Sequence, residues 1–348
     1  MSLYSGTFFA HIRGGSRRSA QEIVPLVMTL LQPRSVVDVG CGVGTWLNVF
    51  QQHGVEDICG IDGSYVDTQT LEIPVSCFMA HDLTQPLRLA RSFDLVMSLE
   101  VAEHVPSAYA EDFIASLTRL GPVVLFSAAI PFQGGTHHVN EQWPAYWIAR
   151  FQRHGYVAVD YLRPLLWHNT HVEWWYTQNM LLFVRQDCLA QYPALHGVQA
   201  PGATVPLALV HPRKYLEVVT AMQQMIDTIQ DIARLIPLDD TFILVDEDQL
   251  RAVVAAGRPA LPFLEHDGAY WGPPHDDAPA IDACERLRAA GARFIVFAWP
   301  AFWWLEYYAV FRAHLAAHYA CVLQSDRLLA FDMRQDAESL WAKRGRRE

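Results

Sequence analysis

The segment SVVDVGCGVGTW carries an acid within an apolar run and three alternate glycines directly after it. Asp38 lies in the run, and Gly40, Gly42 and Gly44 follow. Glycine lets the backbone turn sharply and approach a ligand where a Cβ would intrude. The spacing is G-x-G-x-G, which differs from the G-x-G-x-x-G of dinucleotide folds, and no G-x-x-x-x-G-K sequence is present. The segment therefore predicts a tight turn around a ligand without pyrophosphate cradling.

Two further acids come after later apolar runs. Asp62 ends the run DICGID, and a carboxylate at that place can accept hydrogen bonds from both hydroxyls of a ribose. Asp82 stands in AHDL after a third run, immediately before Leu83, and FDLVMSLE carries a fourth run to Glu100. Because a glycine turn and these acids follow in this order, we interpret them as one binding site rather than as unrelated turn residues.

The sequence E-x-x-E-H, formed by Glu100, Glu103 and His104, follows the fourth run. In a helical turn the positions i, i+3 and i+4 lie on one face, so both carboxylates and the imidazole are expected to point the same way. Two oxygen ligands and one nitrogen ligand suit Mg²⁺, Mn²⁺ or Zn²⁺, with open positions left for a substrate. The alternative is a site without metal, in which His104 acts as a base or only caps the turn before Pro106.

The segment GGTHHVNEQWPAYW, residues 134–147, mixes histidine, amide, acidic and tryptophan side chains. His137 and His138 are candidates for a general base at neutral pH. Indole faces stack on the C–H groups of a sugar, and Asn, Gln and Glu bind its hydroxyls, so a polyhydroxylated acceptor is predicted. WHNTHVEWWYTQN, residues 167–179, repeats this chemistry; the alternative is that the tryptophans form a private core of each loop. The predicted acceptor-binding residues are Asn140, Glu141, Trp143, Trp147, Trp174 and Trp175.

The elements that must position these residues alternate between strand-like and helix-like runs. Runs that are apolar on both faces suit parallel strands in a sheet that helices cover. Helical periodicity appears between such runs, for example in residues 111–120. The pattern predicts an α/β domain built from βαβ units. The predicted strands are residues 35–40, 57–62, 93–99, 122–128, 155–162 and 178–185.

Residues 20–185 resemble a class I S-adenosylmethionine-dependent methyltransferase. The resemblance depends on the glycine turn, the acids that follow it and the F-D-L-V strand. The resemblance implies a Rossmann-like sheet of seven strands, of which 155–162 and 178–185 are the last two, and S-adenosylmethionine as the cofactor. It also implies that three glycines surround the methionine part of the cofactor, that one acid orients its ammonium end, that a second binds the ribose and that a third acid and a leucine lie at the adenine. The three glycines are Gly40, Gly42 and Gly44. The acid at the ammonium end is Asp38, the acid at the ribose is Asp62, and the pair at the adenine is Asp82 and Leu83.

Three further resemblances concern the substrate. The E-x-x-E-H sequence resembles the metal site of small-RNA 2′-O-methyltransferases and of ubiquinone-pathway O-methyltransferases, in which the ion is thought to hold adjacent hydroxyls. V-N-E-Q-W-P-x-Y-W together with V-E-W-W-Y-x-Q-N resembles a bacterial methyltransferase group associated with surface-glycan and other glycoconjugate assembly. The segments TFILVDEDQL, PFLEHDGAYWGPP and FIVFAWPAFWWLEYY resemble a small module found beside such methyltransferases and beside glycosyltransferases.

These observations predict O-methylation of a sugar or glycoconjugate hydroxyl. His104 or His138 would take the proton, and Glu100 with Glu103 would hold Mg²⁺ or Mn²⁺ or grip neighbouring hydroxyls. One alternative is O-methylation of a non-sugar metabolite or natural product. The other is a cofactor-binding scaffold that regulates a glycosyltransferase partner.

The second half predicts a smaller α/β domain joined to the first by a long helix. Apolar residues spaced by three and four predict an amphipathic helix from Pro212 to Ile236, which packs on one domain or pairs two copies as a homodimer. The polar loop around Glu265 and His266 is interpreted as a solvated turn cluster, and the alternative is a ligand or metal patch. The predicted limits are 1–192 for the methyltransferase domain, 193–236 for the linker and helix, 237–336 for the accessory domain and 337–348 for a basic tail.

Composition limits the classes of partner. The 348 residues suffice for two domains, and 37 acidic residues against 26 basic ones give a net charge of −11, which argues against long nucleic acid. No uninterrupted apolar run reaches the roughly 18 residues of a membrane span, and the six cysteines show no C-x-x-C spacing. A cytoplasmic protein with a small-molecule or glycan acceptor is predicted, with glycan-assembly enzymes as partners.

Overall fold

The structure, a computed structural model, describes residues 6–195, 207–255 and 257–336. The chain divides into two compact units, Met1–Leu216 and Glu217–Glu348, and the boundary falls within a long helix. The predicted basic tail, residues 337–348, and most of the predicted linker before the helix lie outside the described residues.

The first unit contains a seven-stranded sheet in the order β3-β2-β1-β4-β5-β7-β6. Strands β1 to β5 are parallel to one another, and β7 is antiparallel to both β5 and β6. The predicted α/β class and the seven-stranded sheet are therefore confirmed. The strands are β1 (Ser35–Val39), β2 (Asp57–Asp62), β3 (Phe78–Ala80), β4 (Leu95–Leu99), β5 (Val123–Ser127), β6 (Tyr156–Val159) and β7 (Leu181–Arg185).

Helices cover both faces of this sheet, which explains why every residue of β4 and β5 is buried. Apolar side chains of α1, α2, α5 and α6 form the core on one face, and those of α3 and α4 form the core on the other. The helices are α1 (Gly6–Leu31), α2 (Thr45–Gln52), α3 (Ala110–Leu120), α4 (Pro144–Arg153), α5 (Leu162–Leu166) and α6 (Trp174–Asn179). Because the carboxyl ends of β1, β2, β4 and β5 meet at one edge, the residues that follow these strands are brought together.

The second unit contains a five-stranded sheet in the order β13-β14-β12-β8-β9, in which β8, β9 and β12 are parallel. A short hairpin, β10–β11, forms within the polar loop that was interpreted as a turn cluster. The strands are β8 (Phe242–Val245), β9 (Ala260–Pro262), β10 (Glu265–His266), β11 (Ala269–Tyr270), β12 (Phe294–Ala298), β13 (Tyr319–Gln324) and β14 (Leu328–Asp336).

The long helix α7 is present as predicted, and its last turns pack on β8 and β12 through Ile232 and, just past its end, Ile236. The aromatic segment of residues 301–319 forms two helices, because the chain leaves the helical conformation at Tyr308. None of the helices described is both long enough and apolar enough to cross a membrane. The helices are α7 (Pro212–Leu235), α8 (Arg251–Val254), α9 (Asp277–Ala289), α10 (Trp304–Tyr307) and α11 (Ala309–His318).

Candidate active site

The glycine turn lies between β1 and α2, and its backbone requires glycine. Gly40, Gly42 and Gly44 have φ angles of 89°, 53° and 84°, in the left-handed region that L side chains avoid. A Cβ on Gly40 would lie 2.3 Å from Cγ2 of Val101, and one on Gly44 would lie 2.9 Å from Cγ1 of Ile73. The turn is therefore held closely against the residues that follow β4.

Asp62, at the end of β2, is buried and stabilises the same turn. One carboxylate oxygen accepts a hydrogen bond from the backbone N–H of Gly42 at 2.6 Å. The other accepts from the N–H of Gly63 at 2.6 Å and from the hydroxyl of Tyr65. Burial raises the pKa of Asp62, and burial together with Asp62 raises the pKa of Asp38 to about 8. The two predicted acids thus share one buried, weakly solvated region beside the glycine turn.

Asp82 lies in a different environment, on the exposed loop after β3. Its carboxylate accepts hydrogen bonds from the backbone N–H of Thr84 at 2.9 Å and from the Thr84 hydroxyl at 2.7 Å. These bonds lower the pKa of Asp82. Leu83 is half-buried and packs against the core beside β2. The loop therefore presents an ionised acid and an apolar side chain next to each other.

Helices α1, α2 and α6 bring further residues to the turn that no sequence pattern indicates. The Arg17 guanidinium binds the Asn48 side chain at 3.3 Å and also pairs with Glu72. The rings of Trp46 and Tyr176 lie 5.2 Å apart in an edge-to-face arrangement. No spacing in the sequence relates these residues, because they come from separate elements that meet only in the folded chain.

Glu100 follows β4 directly and has a left-handed backbone, with φ 55°. Its carboxylate accepts hydrogen bonds from the amide of Asn179 at 3.1 and 3.3 Å and from the amide of Gln133 at 3.0 Å. Burial raises the pKa of Glu100 to about 7, although these bonds and Ser127 lower it. Since its neighbour Val101 packs on Gly40, this carboxylate lies beside the glycine turn.

The predicted common face of Glu100, Glu103 and His104 is wrong. Only Ala102–His104 form a helical turn, of the tighter 3₁₀ type, and Glu100 precedes it in the left-handed conformation. Among the residues described, the group able to hold a metal ion is Glu103, His104 and His138, whose ligand atoms lie within 4.8 Å of one another. His138 therefore takes the place that the prediction gave to Glu100.

Glu103 is a buried acid without a conventional partner. Its side chain has 0% exposure, and neither carboxylate oxygen accepts a hydrogen bond of normal geometry within the described part of the chain. Burial and the neighbouring Glu100 carboxylate raise its pKa well above the usual value, and the nearby backbone N–H groups of Glu103 and Ala129 offset this only in part. An uncompensated buried acid of this kind is costly unless it is protonated or meets a cation.

The two histidines of this cluster are each oriented through Nδ1. His138 Nδ1 lies 2.9 Å from the carboxylate of Glu141, and His104 Nδ1 lies 3.3 Å from the carbonyl oxygen of His137. Burial and His138 lower the pKa of His104 to about 4, so its imidazole is neutral at pH 7. A carboxylate or carbonyl on one ring nitrogen is the usual way in which proteins orient a metal-binding histidine.

Glu141 also fixes the loop that carries His138. Its carboxylate accepts hydrogen bonds from the backbone N–H groups of Phe132 at 2.7 Å and Gly134 at 2.8 Å. The predicted role of Glu141 was to bind the acceptor, whereas its oxygens here bind this loop. His137 is exposed and directs its carbonyl oxygen to His104.

The remaining predicted acceptor-binding residues fall into separate places. Asn140 is buried and donates to the carbonyl oxygen of Val105 at 3.1 Å. Trp143, at the start of α4, is 42% exposed on the loop of the histidine cluster. Trp174 and Trp175 are half-buried in α6, with ring centroids 5.6 Å apart.

The prediction that Trp147 binds the acceptor is wrong. Its side chain is 2% exposed and packs in the core against Phe126, with ring centroids 5.4 Å apart. Trp143 precedes the first residue of α4 and has an extended backbone, so it stays exposed, whereas Trp147 lies inside the helix on its buried face. The sequence could not separate these two tryptophans, since both stand in one aromatic segment.

The similarities to known proteins concern the first unit. Residues 9–176, just under half of the chain, match the family model described as a methyltransferase domain. No curated protein matches the chain. Among solved structures, DesVI of Streptomyces venezuelae is 18% identical with a TM-score of 0.41, covering 51% of this chain and 95% of its own. The sugar N-methyltransferase KedS8 from Streptoalloteichus sp. is 18% identical with a TM-score of 0.42, covering 53% of this chain and 93% of its own.

A third structure is the magnesium protoporphyrin IX methyltransferase from Synechocystis, with bound SAH, which is 20% identical with a TM-score of 0.37. It covers 52% of this chain and 89% of its own. At these scores the three similarities add nothing to the assignment, which depends on the family model together with the observed sheet and glycine turn. Residues 9–176 match the model of a methyltransferase domain, in agreement with the resemblance predicted from the sequence.

Proposed function

We propose that this domain is an S-adenosylmethionine-dependent O-methyltransferase that acts on a sugar or glycoconjugate hydroxyl. One observation carries the proposal: a left-handed glycine turn with a buried acid lies beside a half-buried carboxylate and a Glu–His–His cluster. These groups are Gly40, Asp62, Glu100 and the cluster of Glu103, His104 and His138. A methyl donor and a hydroxyl acceptor can thus be held next to each other.

The cofactor fits the residues at the ends of β1, β2 and β3. The glycine turn leaves its main chain open to the methionine part, and the buried carboxylate of Asp62 suits the ribose hydroxyls. Asp38 would orient the ammonium end, and Asp82 with Leu83 would contact the adenine. When bound, S-adenosylmethionine supplies a methyl group that its sulfonium already makes electrophilic. The protein has to bring an acceptor oxygen into line with that methyl, and such alignment alone contributes several kcal/mol.

A divalent cation fits the cluster of Glu103, His104 and His138. The buried carboxylate of Glu103 lacks a partner that a cation would provide, and both imidazoles are oriented through Nδ1. One carboxylate and two imidazoles suit Mn²⁺ or Zn²⁺, and Mg²⁺ would need more oxygen ligands. An ion here would lower the pKa of a neighbouring hydroxyl.

The protein's own groups also handle the proton of the acceptor. In this proposal two amides orient Glu100 beside the glycine turn, and its carboxylate accepts a hydrogen bond from an acceptor hydroxyl. Without a metal, the His138–Glu141 pair is the base, because a carboxylate on Nδ1 leaves Nε2 free to accept a proton and stabilises the imidazolium that forms. His104, whose pKa burial lowers to about 4, is a weak base.

A sugar acceptor is proposed from the side chains around the cluster. Trp143 offers a half-exposed indole on the loop that carries His138, and Trp174 and Trp175 stand in α6. An indole face packs on the C–H side of a sugar ring. Phe132, on the same loop, is 91% exposed and would add an apolar contact.

The test uses the whole chain with S-adenosylmethionine and separate panels of sugars, nucleotide sugars and phenols. Release of S-adenosylhomocysteine with a sugar, and its loss in both His138→Ala and Glu100→Gln, is the expected result. Turnover only with a phenol would favour the non-sugar alternative. Cofactor binding by calorimetry with no turnover on any panel would favour the scaffold. Chelation followed by Mn²⁺ or Mg²⁺ separates the metal from the metal-free mechanism.

Three further proposals concern the second unit, the limit of the first domain and the pairing of two copies of the chain. We propose that the second unit presents the acceptor or binds glycan-assembly enzymes, and that the methyltransferase domain extends to residue 192. Pairing of two copies through α7 is proposed from its exposed apolar side chains, among them Leu216, Val219 and Met222. Sedimentation of the whole chain tests the pairing, with Val219→Glu as the disrupting variant and Ala221→Glu, two residues on and about 200° around the helix, as the control.

A further inference from the structure

A series of buried amide side chains connects Glu100 to a segment well beyond the family match. The amide nitrogen of Gln133 donates to the Glu100 carboxylate at 3.0 Å. The amide oxygen of Gln133 in turn accepts from the amide of Gln178 at 3.1 Å and from that of Asn179 at 2.9 Å. All three amide residues are buried. Every donor–acceptor distance lies within hydrogen-bonding range, so the series is continuous from Gln178 to Glu100.

The far end of this series is the backbone of residues 207–211, which we call the strap. The amide oxygen of Gln178 accepts a hydrogen bond from the backbone N–H of His211 at 2.7 Å. Arg163, only 1% exposed, donates from Nη1 to the carbonyl oxygens of Gln178 and Leu207, both at 2.9 Å. The strap is therefore fixed at both of its ends on the methyltransferase unit.

The direction of these bonds is set by the backbone. An amide side chain can turn over and exchange its oxygen and nitrogen, so its orientation depends on its partners. The N–H of His211 requires the oxygen of Gln178, which turns the Gln178 nitrogen towards Gln133. The N–H of Ile130, 3.2 Å from the Gln133 oxygen, requires the same orientation there. Both amides thus direct their donors towards Glu100.

We propose that Gln178 is a positioning residue, through which the strap orients the carboxylate of Glu100. The strap sets the amide of Gln178, Gln178 sets Gln133, and Gln133 with Asn179 holds the carboxylate that grips the acceptor. This inference rests on the proposed function for the role of Glu100, but not for the coupling between Glu100 and the strap. Chains of hydrogen bonds polarise one another, so a donor at the strap stabilises a charge at the far end.

Hydrogen exchange tests the coupling without any turnover. The variant Gln178→Leu removes the acceptor of the His211 N–H, and Glu100→Gln changes only the far end of the series. We expect exchange of the strap amides to rise at least fivefold in both variants. Gln52→Glu changes an amide on α2 outside the series and is the matched control. It should leave exchange of the strap amides unchanged. Faster exchange in Gln178→Leu alone would mean a local anchor and would overturn the inference.

Kinetics then test the positioning. In Gln178→Glu the side chain still accepts from His211 but can no longer donate to Gln133. We expect kcat with the acceptor to fall at least tenfold, the acidic limb of the pH profile to move and the affinity for S-adenosylhomocysteine to stay within twofold. An unchanged pH profile and kcat would overturn the positioning role. If no acceptor is turned over by the parent chain, the proposed function fails while the exchange experiment still decides the coupling.

Discussion

The glycine turn allows a sharp prediction, because two glycines of the first unit share one backbone conformation but differ in surroundings. Gly40 has φ 89° and a Cβ there would lie 2.3 Å from Val101 Cγ2. Gly54, past the other end of α2, has φ 90° with nothing within 4 Å of its Cβ position. Gly40→Ala and Gly54→Ala therefore impose the same backbone strain, and only the first adds a steric overlap.

Backbone strain and steric overlap each lower the free energy of unfolding by an amount that can be estimated. An L residue in the left-handed conformation costs about 1–2 kcal/mol, which is the whole effect expected for Gly54→Ala. Carbon atoms in contact normally lie about 3.5–4.0 Å apart, so Val101 must move by more than ~1 Å in Gly40→Ala. Overpacking of this kind adds about 1–3 kcal/mol. Movement of Val101 also displaces Glu100 and the turn that follows.

Urea unfolding and calorimetry with S-adenosylhomocysteine measure the two consequences. Gly40→Ala should unfold at lower urea than Gly54→Ala and bind at least tenfold more weakly than the parent chain, while Gly54→Ala binds normally. Adding Val101→Ala to Gly40→Ala should recover part of the stability, because the two residues are in contact and their effects are not additive. Equal stability and equal affinity of the two alanine variants would refute the reasoning.

Three further predictions concern the cluster and the tryptophans. Glu141→Gln should weaken Mn²⁺ binding about 10–100-fold in calorimetry, because it weakens the bond that orients His138; an unchanged affinity would exclude that role. Burial raises the pKa of Glu103 well above that of an ordinary glutamate, so without metal the folded state loses stability as pH rises above the ordinary pKa. The unfolding free energy of Glu103→Gln should therefore exceed that of the parent chain by more than ~1 kcal/mol at pH 8 in chelator and match it below about pH 4; a difference between the two chains that does not grow from pH 4 to pH 8 would contradict this. Trp147→Ala should cost about 3–5 kcal/mol of unfolding free energy, whereas Trp143→Ala should leave stability unchanged and weaken acceptor binding; similar unfolding curves would contradict the assigned burial.

Most of the sheet was predictable, because buried parallel strands show as uninterrupted apolar runs. The runs that form β1, β2, β4 and β5 were recognised within a few residues of their limits. Helix α1 was not, because Gly14 and Gly15 lower the helix propensity of its sequence. Its stability comes from packing, through Ile23, Val24 and Val27 in the core. The contacts that stabilise α1 join distant parts of the chain, so a local sequence pattern does not reveal the helix.

The E-x-x-E-H sequence shows where spacing stops being informative. Its interpretation assumed one helical turn, but the left-handed backbone at Glu100 removes that residue from the turn. The carboxylate of Glu100 then meets Asn179 and Gln133, whereas Glu103 and His104 meet His138 from the loop after β5. One motif thus contributes to two neighbouring groups, one of amides around an acid and one suited to a cation. Because a single φ angle decides this division, the residues of such a motif cannot be assigned to one ligand set from their spacing alone.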